Sequence, residues 1–401
     1  MDLTSGYPFW PINDGLIQTY PRLDADASSR VVVLGGGITG ALVAHQLIDA
    51  GIEAMVIDKR DVASGSTSAS TALLQYEIDT MLSDLIDMRG ASVATRAYVA
   101  SRDAINKLAS IAERLPDDTG FERKKSLYLA TKKRDRKVLH REWELRRAIG
   151  IEVDWLEESE IAERFSFRRP AALLSHDAAQ MDAYAFTHAL LRDASHRGLR
   201  VFDRTDVTTI KPANDGVTLT TADGCVVRAD HLVFATGYET HSFLERKVAR
   251  LVSTYAAASE PLTALTGWGE DHCLIWEHRR PYLYLRTTAD NRVIVGGEDE
   301  DFRDPLRRDR LIGEKAVQLA KQFREMFPDI AMDIAFAWAG TFGETEDGLA
   351  YVGEQEKWPS CYFALGYGGN GITFSLLAAE IIRDALLGRT NENADLFRFE
   401  R

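Results

Sequence analysis

The chain has 401 residues, 45% hydrophobic and 27% charged, the make-up of an ordinary globular protein of two or three domains with a large core. Asp and Glu number 61 against 48 Lys and Arg, and the net charge of −13 opposes non-specific attraction to nucleic acid or anionic lipid. No apolar run spans a bilayer, the opening MDLTSGYPFWPINDGL lacks the basic and apolar regions of a secretory signal, and Cys225, Cys273 and Cys361 form neither a C-x-x-C pair nor a metal-ligand spacing. These features predict a cytoplasmic protein with no transmembrane segment, no metal and buried cysteines.

Residues 1–29 carry Pro8, Pro11 and Pro21 among Tyr7, Phe9, Trp10 and Tyr20, and read as an extended arm whose aromatic side chains dock on a surface the sequence does not identify. Residues 31–60, VVVLGGGITGALVAHQLIDAGIEAMVIDKR, follow as strand, glycine turn, helix and strand. Gly35, Gly37 and Gly40 fit G-x-G-x-x-G. Gly35 permits the tight turn, Gly37 admits a pyrophosphate close to the backbone, and Gly40 allows close packing of helix on strand. The helix starts near Ile38, so its free N–H groups and positive dipole end face the phosphates, and Gly51 ends it. Asp58 lies 23 positions after Gly35, near the spacing of about 20 expected for a ribose-binding carboxylate. Together these predict a dinucleotide site. His45, inside the helix, is read as structural.

Further along, residues 90–115 are helical and end before Pro116, and a charged helix spans 134–149 with Gly150 as its stop. Asp182 caps a helix whose apolar stripe is Phe186, Ala189, Leu190 and Ala194 and which ends at Gly198. Short strands with a turn at TADGC form a meander leading into HLVFATG. Residues 281–297, PYLYLRTTADNRVIVGG, read as a hairpin, and a helix at 311–326 stops before Pro328. Strand period places Tyr282, Tyr284 and Arg286 on one face. On a cavity-facing strand Arg286 would grip a carboxylate bidentately between tyrosine walls, whereas on a sheet edge it is a solvated arginine with tyrosines in the core. EDED, residues 298–301, reads as a solvated turn rather than a cation site. Residues 363–388, FALGYGGNGITFSLLAAEIIRDALLG, repeat the strand, glycine loop and helix, with Gly366, Gly368, Gly369 and Gly371 before the helix. One site thus draws on both ends of the chain. A second helix N-terminus suits a flavin, whose reduced ring gathers negative charge.

VVVLGGGITGALVAHQL, MVIDKR, ASGSTSASTALLQYE, HLVFATGY, RVIVGGEDEDF, WAGTFGETEDGLAYVG and GYGGNGITFS together resemble the D-amino-acid oxidase, glycine oxidase and sarcosine oxidase superfamily, with the glutamylputrescine oxidoreductase-like branch a neighbour. The resemblance covers nearly everything after residue 30. It implies an α/β fold: a Rossmann-like FAD-binding domain, glutathione-reductase-like with a β-meander, interleaved with an α+β substrate domain on an antiparallel sheet. The expected boundaries are an arm at 1–29, FAD-binding segments at 30–89, 171–250 and 335–401, and substrate segments at 90–170 and 251–334. By motif match Gly35, Gly37 and Gly40 hold the pyrophosphate, with Ile38 and Thr39 at the helix start, and Asp58 holds the adenosine ribose beside Lys59 and Arg60. Ser66, Thr67 and Ser68 run along the flavin. Ala235, Thr236 and Gly237 close on it from the second strand, as does Gly343 from WAGTFGET, and Gly369, Asn370, Gly371 and Ile372 lie at its pyrimidine edge.

The implied reaction oxidises a C–N bond of a small amine or amino acid, with hydride passing to the flavin, the imine hydrolysed in water, and electrons going on to oxygen or another acceptor. Tyr282, Tyr284 and Arg286, together with Gln75 and Tyr76 and the adjoining Glu77, are the expected substrate-side residues. Neither SGSTSAST nor WAGTFGET holds a Cys or His for a covalent flavin link, so non-covalent FAD is expected. Ile294 stands where some oxygen-using relatives carry a Lys, which leaves the acceptor open. Two competitors remain: a 2-hydroxy-acid or glycerol phosphate dehydrogenase of the same fold, and a non-catalytic flavin-bearing subunit. An oligomer is compatible with the sequence, which does not specify one.

Overall fold

The apolar run 31–34 ends the strand Ala27–Leu34, the centre of an eight-stranded sheet in the computed structural model of the chain, which describes residues 4–244, 246–365 and 368–401. On one side it pairs in parallel with Ala54–Ile57, which pairs with Arg200–Phe202; on the other it pairs in parallel with Val226–Phe234, which pairs with Trp358–Leu365. Both faces of these strands are covered, so they carry apolar side chains on both, and Val31, Val32, Val33, Met55 and Val56 are fully buried. Val207–Ala213 and Gly216–Thr221 form the expected meander onto Val226–Phe234. The chain leaves the central strand toward Ala54–Ile57 and returns beside it only at Val226–Phe234. That reversal opens a crevice at the carboxyl ends, where ligands bind in sheets of this kind.

The helix Ile38–Asp49 crosses over the sheet and stops at Ala50 and Gly51, whose φ of +73 is the left-handed conformation that favours glycine. His45 lies buried between Asp49 at 3.5 Å and Asp193 at 3.2 Å, joining this helix to Ala183–His196, and burial lowers its pKa. The helix Gly371–Leu386 lies beside Ile38–Asp49, and Thr39 Oγ1 and Ser375 Oγ are 2.8 Å apart near their N-termini. The two helices belong to one core with Ala91–Arg114, the helix expected at 90–115. Cys273 and Cys361 are buried and Cys225 is half-buried, all three as free thiols.

A second, ten-stranded sheet runs in the order Thr4–Gly6, Ile334–Glu344, Arg250–Ser259, Val293–Asp301, Tyr284–Thr287, Leu274–His278, Glu122–Ala130, Ala171–Gln180 and Leu73–Gln75, with Val153–Glu157 also paired to Ala171–Gln180. It is antiparallel except where Leu274–His278 meets Glu122–Ala130. Three of its strands, Leu73–Gln75, Ala171–Gln180 and Ile334–Glu344, fall almost wholly inside segments the sequence assigns to the nucleotide-binding part. An apolar run says that a strand is buried, not which sheet it joins.

Two further expectations change. The arm is not extended throughout: Thr4–Gly6 pairs with Ile334–Glu344, Phe9–Asp14 is helical, and the central strand starts at Ala27. Its aromatics dock on the second sheet and on the segment after residue 66: Phe9 packs on Phe336, and Trp10 Nε1 donates to Ser70 O at 2.7 Å. The helix expected at 311–326 begins at Pro305, because Asp304 accepts from Arg307 N at 2.9 Å and proline suits the first turn.

Candidate functional site

A cavity of about 650 Å³ lies between the carboxyl ends of the first sheet and the face of the second. At its first end Gly35 turns with φ +113, and a Cβ there would stand 2.4 Å from Ala235 O, so this turn packs directly on the end of the second buried strand. A Cβ on Gly40 would meet Gly35 O at 1.8 Å. Gly40 therefore packs helix against turn and does not line the cavity, which corrects its expected phosphate contact. Gly37, Ile38 and Thr39 do line it, and a Cβ on Gly37 would have only Thr67 Oγ1 within 4 Å, at 3.0 Å. That open backbone at a helix N-terminus is an anion cradle. Ile38 N donates to Thr67 Oγ1 at 3.0 Å.

Asp58 reaches into the cavity from the end of Ala54–Ile57, accepting from Gly36 N at 2.6 Å and Arg60 N at 2.8 Å. Burial raises its pKa, and the two N–H donors work against that rise. A carboxylate has about four acceptor positions, which leaves capacity for a ribose diol. Lys59 and Arg60 line the same end, each paired with Glu239, at 2.9 and 3.1 Å. Ser66 and Thr67 line the cavity, and Ser66 Oγ is buried with no partner among the described residues. Ser68 turns away and donates to Gly65 O at 2.8 Å. Ala235, Thr236 and Gly237 line the wall, but Gly343 does not: it packs against Tyr238 and Ala249.

The second helix N-terminus converges on the same cavity. Gly369, Asn370, Gly371 and Ile372 line it, and Gly366 lies outside the described residues. Asn370 Nδ2 donates to the carbonyls of Gln75 at 3.0 Å and Glu77 at 2.8 Å, which pins the helix start to the strand Leu73–Gln75. Gly369 N donates to Asp79 Oδ2 at 2.7 Å, and burial raises the Asp79 pKa.

Beyond this point the walls are side chains of the second sheet, Tyr284, Trp276, Gln75 and Thr254, with Tyr282 just before the strand Tyr284–Thr287. The two tyrosine rings are 5.7 Å apart, and a Cβ on Gly296 would lie 2.2 Å from the Tyr284 ring, so that glycine makes room for it. Ser126 Oγ accepts from Gln75 Nε2 at 2.9 Å and Trp276 Nε1 at 3.0 Å, fixing both walls. Burial pushes the Tyr284 phenol up to about 12, so it is a neutral donor. A neighbouring cavity of about 610 Å³ shares Asp79 with the first and holds Arg280 and Asp299, whose carboxyl burial pushes up to about 6.

Arg286 is not at this wall. Its guanidinium is buried behind the lining and donates to the carbonyls of Thr71 at 3.0 Å, Ala72 at 3.1 Å, Met181 at 2.8 Å and Thr287 at 3.2 Å, with Trp10 5.1 Å away. Burial without a carboxylate partner lowers its pKa to about 9. It is neither the carboxylate grip nor the solvated residue that the sequence allows, but a brace holding four carbonyls together. Tyr76 is also buried behind the wall, its hydroxyl 2.9 Å from Ser175 Oγ. Strand period gave the right face for Tyr282 and Tyr284, but the next residue on that face lies under the arm. Trp276, Thr254 and Asp79 were missed. Alternation in LIWEH marks Trp276 as facing one side of a strand, and nothing local marks Asp79.

The family model for FAD dependent oxidoreductase (DAO) matches residues 30–385. The chain belongs to this family. It is 27% identical over 385 residues to a glycine oxidase of Geobacillus kaustophilus, covering 92% of this chain and 95% of that one. It is 24% identical over 383 residues to the gamma-glutamylputrescine oxidoreductase of Escherichia coli, covering 92% and 86%. The crystal structure of glycine oxidase from Geobacillus kaustophilus has the same fold, with a TM-score of 0.78 at 22% identity over 93% of this chain and 99% of that one.

FAD, the family's cofactor, fits the residues present. The open Gly37 backbone, Asp58 at ribose distance along the motif, the unpartnered Ser66 hydroxyl and the two helix N-termini provide for an anionic dinucleotide. Among the described residues no helix is long and apolar enough to cross a membrane, and no group of three or more His, Cys, Asp or Glu is placed to hold a metal.

Proposed function

We propose that this family member holds FAD non-covalently and oxidises a C–N bond of a small amine or amino acid. The observation that carries the reading is the composition of the far end of the cavity, where Tyr282, Tyr284 and Trp276 wall a space next to Asp79. Aromatic faces and a carboxylate suit an amine, and they disfavour a phosphate or carboxylate placed directly against them. Arg280 in the adjoining cavity could take the carboxylate of an amino acid or of a 2-hydroxy acid alike, so what favours the amine over the hydroxy acid is the carboxylate of Asp79 beside the aromatic walls. A glycerol phosphate would need a cation directly at this wall. Among the described lining residues the cations are Lys59 and Arg60, at the ribose end beside Glu239.

When bound, the flavin supplies the hydride acceptor. The chain's residues supply position. Gly35, Gly37, Ile38, Thr39 and Asp58 would hold the adenosine and pyrophosphate, and the helix start at Gly369 to Ile372 would offer its positive end to the ring's anionic side. Tyr282, Tyr284 and Trp276 exclude water from the substrate and orient its amine. Gln75 and Thr254 offer it hydrogen bonds. A substrate carboxylate, where present, is directed toward Arg280 in the adjoining cavity, whose guanidinium stacks 4.8 Å from the Tyr282 ring.

The test is anaerobic mixing of the flavin-loaded protein with a panel of amines, amino acids, 2-hydroxy acids and glycerol phosphate. Bleaching by amines or amino acids supports the reading, whereas bleaching by hydroxy compounds alone, or by nothing, overturns it. Acid or heat precipitation separately tests the flavin link: free FAD in the supernatant is expected, and flavin retained by the pellet contradicts non-covalent binding.

A further inference from the structure

In a chain of net charge −13, residues 122–148 hold eleven Lys or Arg against four Asp or Glu. Most of this charge faces outward. Lys132, Lys133, Arg134, Lys137, Arg141 and Arg147 are exposed on and just before the helix Asp135–Ala148. Nearby acids take up a few cations: Arg136 pairs with Glu157 at 2.7 Å and Arg141 with Asp87 at 3.5 Å, while Asp135 is buried, accepting from Thr131 and Lys132 backbone N–H groups. Lys132, Lys133 and Lys137 have no carboxylate within ion-pair distance among the described residues, and the side chain of Arg134, 81% exposed, meets Asp135 only at 3.9 Å.

This face lies behind the substrate wall. Trp276, which lines the large cavity, stacks on the buried Tyr128 with ring centroids 3.8 Å apart and planes 16° from parallel. Tyr128 belongs to a small apolar cluster with Leu139 of the basic helix and Val153 of the adjoining strand, and Trp143 and Trp155 pack on the same cluster from outside. Those two indoles are 6.3 Å apart and half-buried, with Arg147 over one and Arg136 over the other. Aromatic rings thus lie on both sides of this apolar cluster, Trp276 and Tyr128 toward the flavin cavity and Trp143 and Trp155 toward the surface, where Trp155 Nε1 donates to Glu157 at 2.8 Å beside the basic helix.

The geometry points to this face as the docking surface for an acidic one-electron carrier protein that reoxidises the flavin. Each reduced flavin returns two electrons, one to each of two carriers arriving in turn, and releases its ring proton to water. A cationic patch on an anionic protein steers such a partner into one orientation and raises its on-rate by about 10 to 10³-fold at low salt. An anionic lipid surface would use the charge but would call for exposed apolar side chains to insert, and between residues 122 and 148 Val138 is the one exposed large hydrophobic, with Trp143 and Trp155 half-buried. The inference needs FAD but no particular substrate, so it is tested on flavin reduced chemically and stands apart from the amine reading.

The test compares an acidic blue-copper protein, a basic cytochrome c and a small neutral dye as oxidants of the reduced holoenzyme in anaerobic stopped flow. The K132E/K133E/R134E/K137E variant is run beside the milder K132Q/K133Q/K137Q. Binding of the oxidised holoenzyme to the immobilised copper protein gives a readout free of turnover. The expected result is a reaction with the copper protein that falls steeply with salt and by tenfold or more in the charge-reversed variant, with binding lost in parallel and the dye and cytochrome c rates not reduced. Equal rates for the two proteins, equal loss with all three oxidants, or no loss with any, overturns the proposal. So does charge-dependent binding to phosphatidylglycerol vesicles with unchanged carrier rates, which would make this a lipid-facing surface.

Discussion

The two ends of the large cavity are built by different means. At the dinucleotide end the contacts are backbone: a turn at Gly35, the exposed N-termini of two helices, and a carboxylate at the end of the neighbouring strand. At the far end they are side chains, contributed by strands brought together from residues 73–75, 250–259, 274–278 and the segment 282–287. Backbone geometry tolerates no change of residue where a Cβ has nowhere to go. Side-chain walls can be exchanged while the sheet beneath them stays. The cofactor end should therefore fail as a unit when altered, and the far end should lose rate without losing flavin.

The strongest test of that contrast is Gly40→Ala. Its Cβ would stand 1.8 Å from a backbone carbonyl, so helix and turn must separate. Chain purified without flavin, or in low soluble yield, is expected, and a flavin-to-protein ratio equal to wild type would show that the turn is not the fixed element it is taken to be. Arg286→Leu comes next. It strips a charged donor from four buried carbonyls, and with buried unsatisfied acceptors costing about 1 to 3 kcal/mol each, stability should fall by at least about 2 kcal/mol. Whatever activity remains should fall equally for an amino acid and for its decarboxylated amine. A loss confined to the amino acid would return Arg286 to the role of carboxylate anchor.

Asp58→Ala should weaken FAD by about 1.5 to 3 kcal/mol, roughly ten- to a hundredfold in Kd by flavin titration, because a charge-assisted acceptor is lost. Unchanged affinity would move the ribose contact elsewhere. The smallest effect is a pH dependence at the far end. Asp299 titrates near 6 in the folded chain and near 3.8 in its ordinary state, so the folded form holds the proton longer. The stability it favours is complete below pH 3.8 and is lost as pH rises through about 6. Asp299→Asn should flatten urea-unfolding stability across that window by on the order of 1 kcal/mol after allowance for solvent screening, and an unchanged pH slope would place the Asp299 carboxyl in an ordinary solvated setting.

The same contrast explains what the sequence disclosed. Gly35, Gly37 and Asp58 stand within 24 residues of one another and obey spacing rules set by one strand, one turn and one helix, so their placement could be read before any tertiary structure. The return of the glycine loop at 368–371 was legible for the same reason. Tyr282 and Tyr284 were found by strand period, yet that period could not say that Arg286, one step further, is covered by Trp10 from the other end of the chain. Trp276 and Asp79 carry no local signature. Trp276 becomes a wall residue only because strands distant in sequence are neighbours in the second sheet, and Asp79, in the bend after Leu73–Gln75, because the glycine loop from the other end of the chain meets it there. The same long-range pairing puts Ala171–Gln180 in the second sheet.

The separation of the two ends is tested most directly by Trp276→Ala, with flavin content and anaerobic flavin reduction measured on the same sample, using the most effective amine or amino acid from the panel. A full complement of FAD with flavin reduction slowed at least tenfold is the predicted result. Loss of flavin in step with loss of rate, or full rate with full flavin, would contradict the assignment of this wall to the substrate.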